Sequence, residues 1–480
     1  MGQPLSETEI LLWNLGRDPN LASTMGLVAI LDGRPEPDRL RTTLANTVAT
    51  VDRLRQRVVG PPARNAGLGR PEWRTDPWFD LDHHVRVVGL TGPTGRGPGR
   101  LADLRHLAAQ LINDPFDETR PLWQFHLVTG LRGGHSALVG KVHHSISDGI
   151  GLLRLAGSLL EFEPDTAAPE PVDLAAVLAG ETGGHTDNAD DGANGTNGES
   201  GDGDGGGPGG RLRHLLGQAT RIPGPVKVLE TGAELLASAK AVTDQLPRSN
   251  ASPLWATRSR NRRLELVAIP LDGIRATATE RGVTINDLFV AACAQAAVHY
   301  HREMGAELPR ITATVVVSTG SSSPDDPLGA GGDNSFIPVP IGLPGDGAGA
   351  DDRLDAVHEG VRERRQALGN RPDLLSSLGA IGGLVPSSVA AALALDQAAR
   401  VDFATSNLPG PPVPTWLAGR PVRRIHPVGP VAGTAFNVTF MSYDDQALMG
   451  LHIDPAAVSE PSLLAQSLSR GFGDFGVRRR

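Results

Sequence analysis

Apolar residues along the 480-residue chain switch repeatedly between a period of two, the mark of strands, and a period near 3.6, the mark of helices. Ile10, Leu11, Leu12 and Leu15 predict a short helix after the capping residue Ser6, and Met25 to Leu31 a strand. Pro37 to Val59 reads as a helix, Phe79 to Leu90 as a strand and Leu101 to Ile112 as a helix. Trp123 to Thr129 and Ser136 to His143 predict a strand pair across the Gly133-Gly134 turn, and helical spacing resumes over Ile150 to Phe162. The second half repeats the mixture. It offers a strand at Leu264 to Ile269, helices at Leu271 to Arg281 and Thr284 to Met304, and a strand at Ile311 to Ser318. A helix follows at Arg353 to Leu368 and a strand around Val401 to Ser406. Ala435 to Tyr443 and Ala447 to Ile453 form a predicted hairpin linked by Asp444-Asp445-Gln446, and the last helix covers Pro461 to Phe472. Strands and helices alternate in both halves, which predicts a mixed α/β fold of two units.

Composition separates the halves. Between Gly180 and Gly210, 13 of 31 residues are glycine and no large apolar side chain occurs, so this stretch cannot offset its ordering entropy. The predicted organisation is a first unit over 1–178, an acidic Gly-rich linker over 179–211, a connecting helical segment over 212–254 and a second unit over 255–480. The net charge is −9, but seven acidic residues and no Lys or Arg fall within that glycine-rich stretch, leaving the rest close to neutral. Such a balance disfavours nucleic acid as a partner, because phosphates must be neutralised by a basic surface. A single cysteine, Cys293, can form neither an internal disulfide nor a thiolate metal site. No basic leader precedes the first apolar stretch, so a cytoplasmic protein is expected. Leu374 to Leu395 runs 22 residues without a charge, yet three glycines, four serines and Pro386 favour a packed helix pair over a membrane span. A surface resting on lipid is the alternative there.

The most informative stretch is Lys141-Val142-His143-His144-Ser145-Ile146-Ser147-Asp148-Gly149, where a strand ends and a helix is predicted to begin. Open α/β sheets keep reactive groups at strand ends. Imidazole, with an ordinary pKa of about 6.5, is ready there to take a proton near neutral pH. Asp148 could orient the loop, and Gly149 leaves room for a ligand or tight packing. Spacing alone leaves a second reading open: two histidines satisfying each other's hydrogen bonds inside a core. Other candidates read as structural. His83-His84 lacks a following Asp-Gly and is taken as part of an ordinary strand; His299 and His301 lack HExxH spacing, so no metal is expected. Cys293 reads as a small buried hydrophobe, and no Gly-X-Ser-X-Gly elbow is present.

His143-His144-X-X-X-Asp148-Gly149 resembles the HHxxxDG motif of the chloramphenicol acetyltransferase-like superfamily, and within it the wax ester synthase/diacylglycerol acyltransferase family. Pro121-Leu122-Trp123 is similar to that family's PLW motif and Asn286-Asp287 to its ND motif. Ser406-Asn407-Leu408-Pro409-Gly410-Pro411, Leu417-Ala418-Gly419 and Pro427-Val428-Gly429-Pro430 resemble its SNxPGP, LAG and PxGP segments, in the same order. The sequence departs from the family at Thr319-Gly320-Ser321-Ser322-Ser323, where a PVxxR-like segment is usual, and at Gly332-Asp333-Asn334-Ser335, where Gly-Asn-Arg is usual.

The resemblance implies two chloramphenicol acetyltransferase-like domains side by side with a substrate channel between them. It implies transfer of a long-chain acyl group from acyl-CoA, as co-substrate, to diacylglycerol or a long-chain alcohol, without metal or other cofactor. His144 would be the general base, with His143 beside it and Asp148 structural, facing an arginine. Asn286 is the first candidate for stabilising the oxyanion; Trp123, Asp287, Ser406 and Asn407 are candidates for contact with substrate, with core packing the favoured role of Trp123. Peripheral contact with a membrane or lipid droplet would fit a lipid acceptor. Two rival functions remain at this point: transfer from a carrier-protein thioester, as in condensation domains, and non-catalytic lipid binding.

Overall fold

The computed structural model describes residues 2–60, 70–146, 157–182, 252–318, 336–369 and 394–477. The first half contributes β1 (Gln3–Pro4), α1 (Glu7–Gly16), β2 (Thr24–Leu31), α2 (Pro37–Thr50), β3 (Gln56–Val59), β4 (Glu72–Thr75), α3 (Leu81–His84), β5 (Val85–Gly89), α4 (Leu101–Asn113), β6 (Trp123–Thr129), β7 (Ser136–His143) and α5 (Leu174–Thr182). The second contributes β8 (Arg263–Pro270), α6 (Leu271–Arg281), α7 (Ile285–Glu303), β9 (Arg310–Ser318), β10 (Phe336–Pro344) and α8 (Ala350–Gly369). It continues with β11 (Phe403–Leu408), β12 (Thr415–Leu417), β13 (Arg420–Val428), β14 (Phe436–Tyr443), β15 (Gln446–Ile453) and α9 (Pro461–Asp474).

Two six-stranded mixed sheets form the frame, in the orders β12-β13-β2-β7-β6-β5 and β10-β9-β11-β14-β15-β8, with a small sheet β1-β4-β3 beside the first. The first large sheet is not made from the first half alone. β13 pairs antiparallel with β2, so residues 415–428 complete a sheet begun in the N-terminal unit. A tight turn at Ala418 (φ 46°) and Gly419 (φ 73°) joins β12 to β13, which accounts for the LAG segment. Glu161 holds this hairpin down: its carboxylate accepts from Arg39 Nη2 (2.8 Å) and from the Gly419 N–H (3.0 Å). On the other side, Tyr443 of β14 donates its hydroxyl to Val422 O (2.7 Å) and accepts the Thr415 N–H (3.1 Å).

The halves share apolar cores as well as strands. Met441, Tyr443 and Leu448 pack with Trp13, Trp123 and Ile146, and Leu408 lies against the same cluster. The PxGP segment crosses β14 closely. Gly429 N–H donates to Thr439 Oγ1 (2.9 Å), and a Cβ on Gly429 would come within 2.6 Å of that oxygen.

Several expected elements have different bounds. The helix from Pro37 ends at Thr50, because Arg55 turns inward and donates to the Val48 and Ala49 carbonyls (2.6 and 2.9 Å), closing the helix end. The strand expected over Phe79 to Leu90 is confined to β5. Asp80 caps a helical turn by accepting the Asp82 N–H (2.9 Å), so His83-His84 is the end of α3 and not strand. β10 was hidden by Pro338, Pro340 and Pro344; it is an edge strand, where missing N–H groups are tolerated.

α7 is apolar on nearly every face and buried from Leu288 to Val298. Cys293 sits within it, its thiol pushed well up by burial, as a small core residue. The expected linker over 179–211 and segment over 212–254 lie outside the described residues apart from 179–182 and 252–254. Leu374 to Leu395 lies outside them apart from its last two residues. No helix among the described residues is long and apolar enough to cross a membrane.

Candidate active site

The end of β7 is fixed from both sides. The His143 N–H donates to Leu122 O (2.9 Å), and the His144 N–H donates to Ser23 O (2.8 Å). The PLW segment and the residue before β2 thus hold the backbone of the histidine pair.

The two side chains differ in environment. His143 is buried, and its ring Nδ1 accepts the Ser145 N–H (3.1 Å) and lies 2.7 Å from Ser145 Oγ, which must then be the donor. In the neutral ring this leaves the proton on Nε2, the edge that faces Gly16 at the end of α1; a Cβ there would overlap Nε2. Trp13 and Phe116 meet the ring edge-on, at 6.0 and 6.2 Å between centroids. Burial first, and then the neighbouring His144, push the His143 pKa down to about 4, so the ring is neutral at pH 7. His144 is only half-buried.

Lys141, two residues earlier on the same face of β7, is buried with its ammonium on Asp114 O (2.7 Å) at the end of α4 and 4.6 Å from the Phe116 ring centroid. Burial lowers its pKa to about 8. The ammonium therefore caps α4 and fixes the phenyl ring that borders His143.

A second cluster lies where β11 approaches the start of α7. Asn407 Nδ2 donates to Asn286 Oδ1 at 3.4 Å, and both residues are half-buried, as is Ser406. Leu408, next in sequence, packs on the core that contains Ile146, three residues beyond His143. Asp287 has another occupation. Its carboxylate accepts the Thr284 N–H (3.1 Å) in a capping box and lies 3.0 Å from His358 Nδ1, and the residue is buried. Asp287, expected from the resemblance to contact substrate, thus serves as the helix cap of α7.

Trp123 takes the core position favoured for it from the sequence. It is fully buried, donates Nε1–H to Leu54 O (2.7 Å) and stacks on His84 at 4.3 Å. His84 in turn donates Nδ1–H to Trp123 O (2.7 Å), and burial lowers its pKa to about 4. His301 is buried between Ser252 Oγ and Ala297 O, and His299 pairs with Asp474. Among the described residues no three His, Cys, Asp or Glu side chains gather as metal ligands. Asp148, Gly149, Thr319 to Ser323 and Gly332 to Ser335 lie outside the described residues.

Sequence reasoning missed Trp13, Gly16, Phe116 and Ser145, the immediate surroundings of His143. Ser145 had a signal, its spacing two residues beyond the histidine; the others come from distant segments and had none.

Residues 5–289 match the wax ester synthase/diacylglycerol acyltransferase catalytic domain, and residues 332–475 match the C-terminal domain of the same group. The chain belongs to the wax ester synthase/diacylglycerol acyltransferase family. It is accordingly an acyltransferase. Among relatives of this family, a Mycobacterium tuberculosis H37Rv protein named as a diacylglycerol O-acyltransferase is 27% identical over 482 residues, spanning 99% of this chain and 92% of that one. A second from the same strain, named likewise, is 28% identical over 455 residues, spanning 90% and 88%. Among solved structures, the wax ester synthase/diacylglycerol acyltransferase of Marinobacter aquaeolei VT8 aligns with a TM-score of 0.63 at 23% identity, covering 98% of both chains. The first condensation domain of the calcium-dependent antibiotic synthetase aligns with 0.57 at 16%, covering 99% of this chain and 95% of that one. These likenesses establish the two-lobed chloramphenicol acetyltransferase-like fold.

Proposed function

We propose that this acyltransferase moves a long-chain acyl group from acyl-CoA to diacylglycerol or a long-chain alcohol, giving triacylglycerol or wax ester, with His144 as the general base. The observation that carries this reading is the inequality of the two histidines. His143 is buried, with its Nδ1 occupied by Ser145 and its other edge against Gly16, whereas His144 is half-buried and its backbone N–H is held by Ser23 O.

In the proposed reaction His144 takes the proton of the acceptor hydroxyl as that oxygen attacks the thioester carbonyl. The tetrahedral oxyanion then collapses, the C–S bond breaks, and the proton passes from the imidazolium to the thiolate, leaving an ester and CoA–SH. Positioned proton transfer of this kind supplies roughly 10²- to 10⁴-fold. Asn286 is the first candidate donor to the oxyanion. Its carbonyl oxygen accepts from Asn407, which leaves its own amide N–H₂ as the donor, and it stands in the first turn of a 19-residue helix, where the backbone dipole also favours negative charge. Ser406 and Asn407 are second candidates. A channel between the two lobes would keep water from competing with the alcohol. Because the acceptor is a lipid, peripheral contact with a membrane or lipid droplet belongs to the same reading.

The test is product formation by the purified chain from palmitoyl-CoA with diolein, hexadecanol or water alone. Ester formation with either alcohol supports the proposal; thiol release without ester, or no thiol release, overturns it.

A further inference from the structure

We propose that the cavity between the end of α1 and β3 binds the phosphate-bearing part of the coenzyme A thioester. The inference rests on the acyl-CoA reading above and adds a location to it. The cavity has a volume of about 400 Å³ and is walled by Trp13 of α1, Arg17 just after it, Arg57 and Val59 of β3, Pro71 and Glu118. That size lies within the range of small-molecule sites and suits one part of a large cofactor rather than all of it. The same indole that forms its wall rests edge-on against the His143 ring. The cavity is therefore one aromatic side chain away from the histidine pair.

Its two arginines outnumber its one carboxylate, Glu118. Arg57 stands directly opposite Arg74 in the β3–β4 ladder, a like-charge pairing that costs stability. Arg74 is balanced by Glu72, with Nη2 and Nε at 3.0 and 3.2 Å from Oε2. Arg57 has no such carboxylate: its Nε is buried and finds no acceptor among the described residues. An unmet buried donor on a charged group is costly, and a phosphate oxygen would satisfy it. Arg17 stacks over Trp13 at 5.1 Å and reaches Glu118 only at 3.4 Å, with both side chains about half exposed. An exposed pair of that kind is worth little and yields readily to a doubly charged phosphate. Two guanidiniums over an aromatic and aliphatic wall thus fit a phosphorylated, partly apolar ligand better than a neutral lipid acceptor.

The experiment compares palmitoyl-CoA with S-palmitoyl-N-acetylcysteamine, which has the same thioester but no phosphate, in wild type, Arg57→Gln and Arg17→Gln. Arg17→Gln alters a half-exposed side chain and guards against a folding defect in the other variant. The expected result is that KM for palmitoyl-CoA rises roughly tenfold in each variant with kcat and the alcohol KM unchanged, while the truncated thioester shows no difference. Equal effects on both thioesters, or none on palmitoyl-CoA, would overturn the site. Calorimetric titration with CoA–SH separates the two proposals. CoA binding weakened by Arg57→Gln in a protein that makes no ester would leave the site standing and remove the acyl-transfer reading; ester formation with CoA binding indifferent to both arginines would do the reverse.

Discussion

The His143 N–H and the Leu122 carbonyl share a 2.9 Å hydrogen bond, which ties the histidine pair to the PLW segment through the backbone alone. Trp123, the next residue, then anchors that segment by donating to Leu54 O and stacking on His84. PLW therefore acts on the site as a buried clamp, and its tryptophan needs no substrate contact to matter.

Trp123→Phe keeps the aromatic stack but removes the indole donor, leaving Leu54 O without it. Unfolding in urea should show a loss of about 1–2 kcal/mol, with KM for thioester and alcohol unchanged. A KM effect without loss of stability would mean that Trp123 lines the substrate path.

Gly16→Ala places a methyl group onto His143 Nε2, a ring already fixed by Ser145, Trp13 and Phe116. Overpacking of this kind costs about 1–3 kcal/mol. Displacing the neighbouring histidine should lower kcat roughly 10²-fold. Equilibrium unfolding together with steady-state kinetics reads both effects, and an unchanged kcat would separate α1 from the site.

Asp287→Asn weakens a capping box and its contact with His358. A stability loss of about 1 kcal/mol at pH 7 is expected, with both KM values unchanged. A selective rise in either KM would return Asp287 to the substrate.

Much of the fold was legible because periodicity reports local structure. β6, β7 and α6 lie where the pattern predicts them, and the hairpin of β14 and β15 nearly so. What periodicity could not report was partnership. Nothing local in Arg420 to Val428, with two prolines and three arginines, says that it will pair with β2 some 400 residues earlier. The prolines of β10 hid a strand that edge position permits. At the site, the histidine pair and Asn286 were readable as chemistry-bearing residues in a motif. Core packing was the favoured role of Trp123 from the sequence, whereas the use of Asp287 as a cap that also meets His358 depends on neighbours that only the fold supplies.

Acid should unfold the protein through its buried rings. His84, His126, His143, His426 and His452 are each lowered to about 4, foremost by burial. Unfolded, each binds a proton near 6.5 that the folded chain refuses until about 4. Their neutral burial is therefore without cost above pH 6.5, and stability is lost as pH falls from there toward 4, by up to about 3 kcal/mol per ring. The urea midpoint should fall steadily between pH 7 and pH 5; a flat midpoint over that interval would contradict the assigned burial.

The central claim is tested most directly by the turnover of palmitoyl-CoA with bound alcohol in His144→Ala, set beside wild type and shown to be folded by its unchanged urea midpoint. The account predicts that kcat drops roughly 10²- to 10⁴-fold while palmitoyl-CoA still binds. Full ester formation by the folded variant would contradict it.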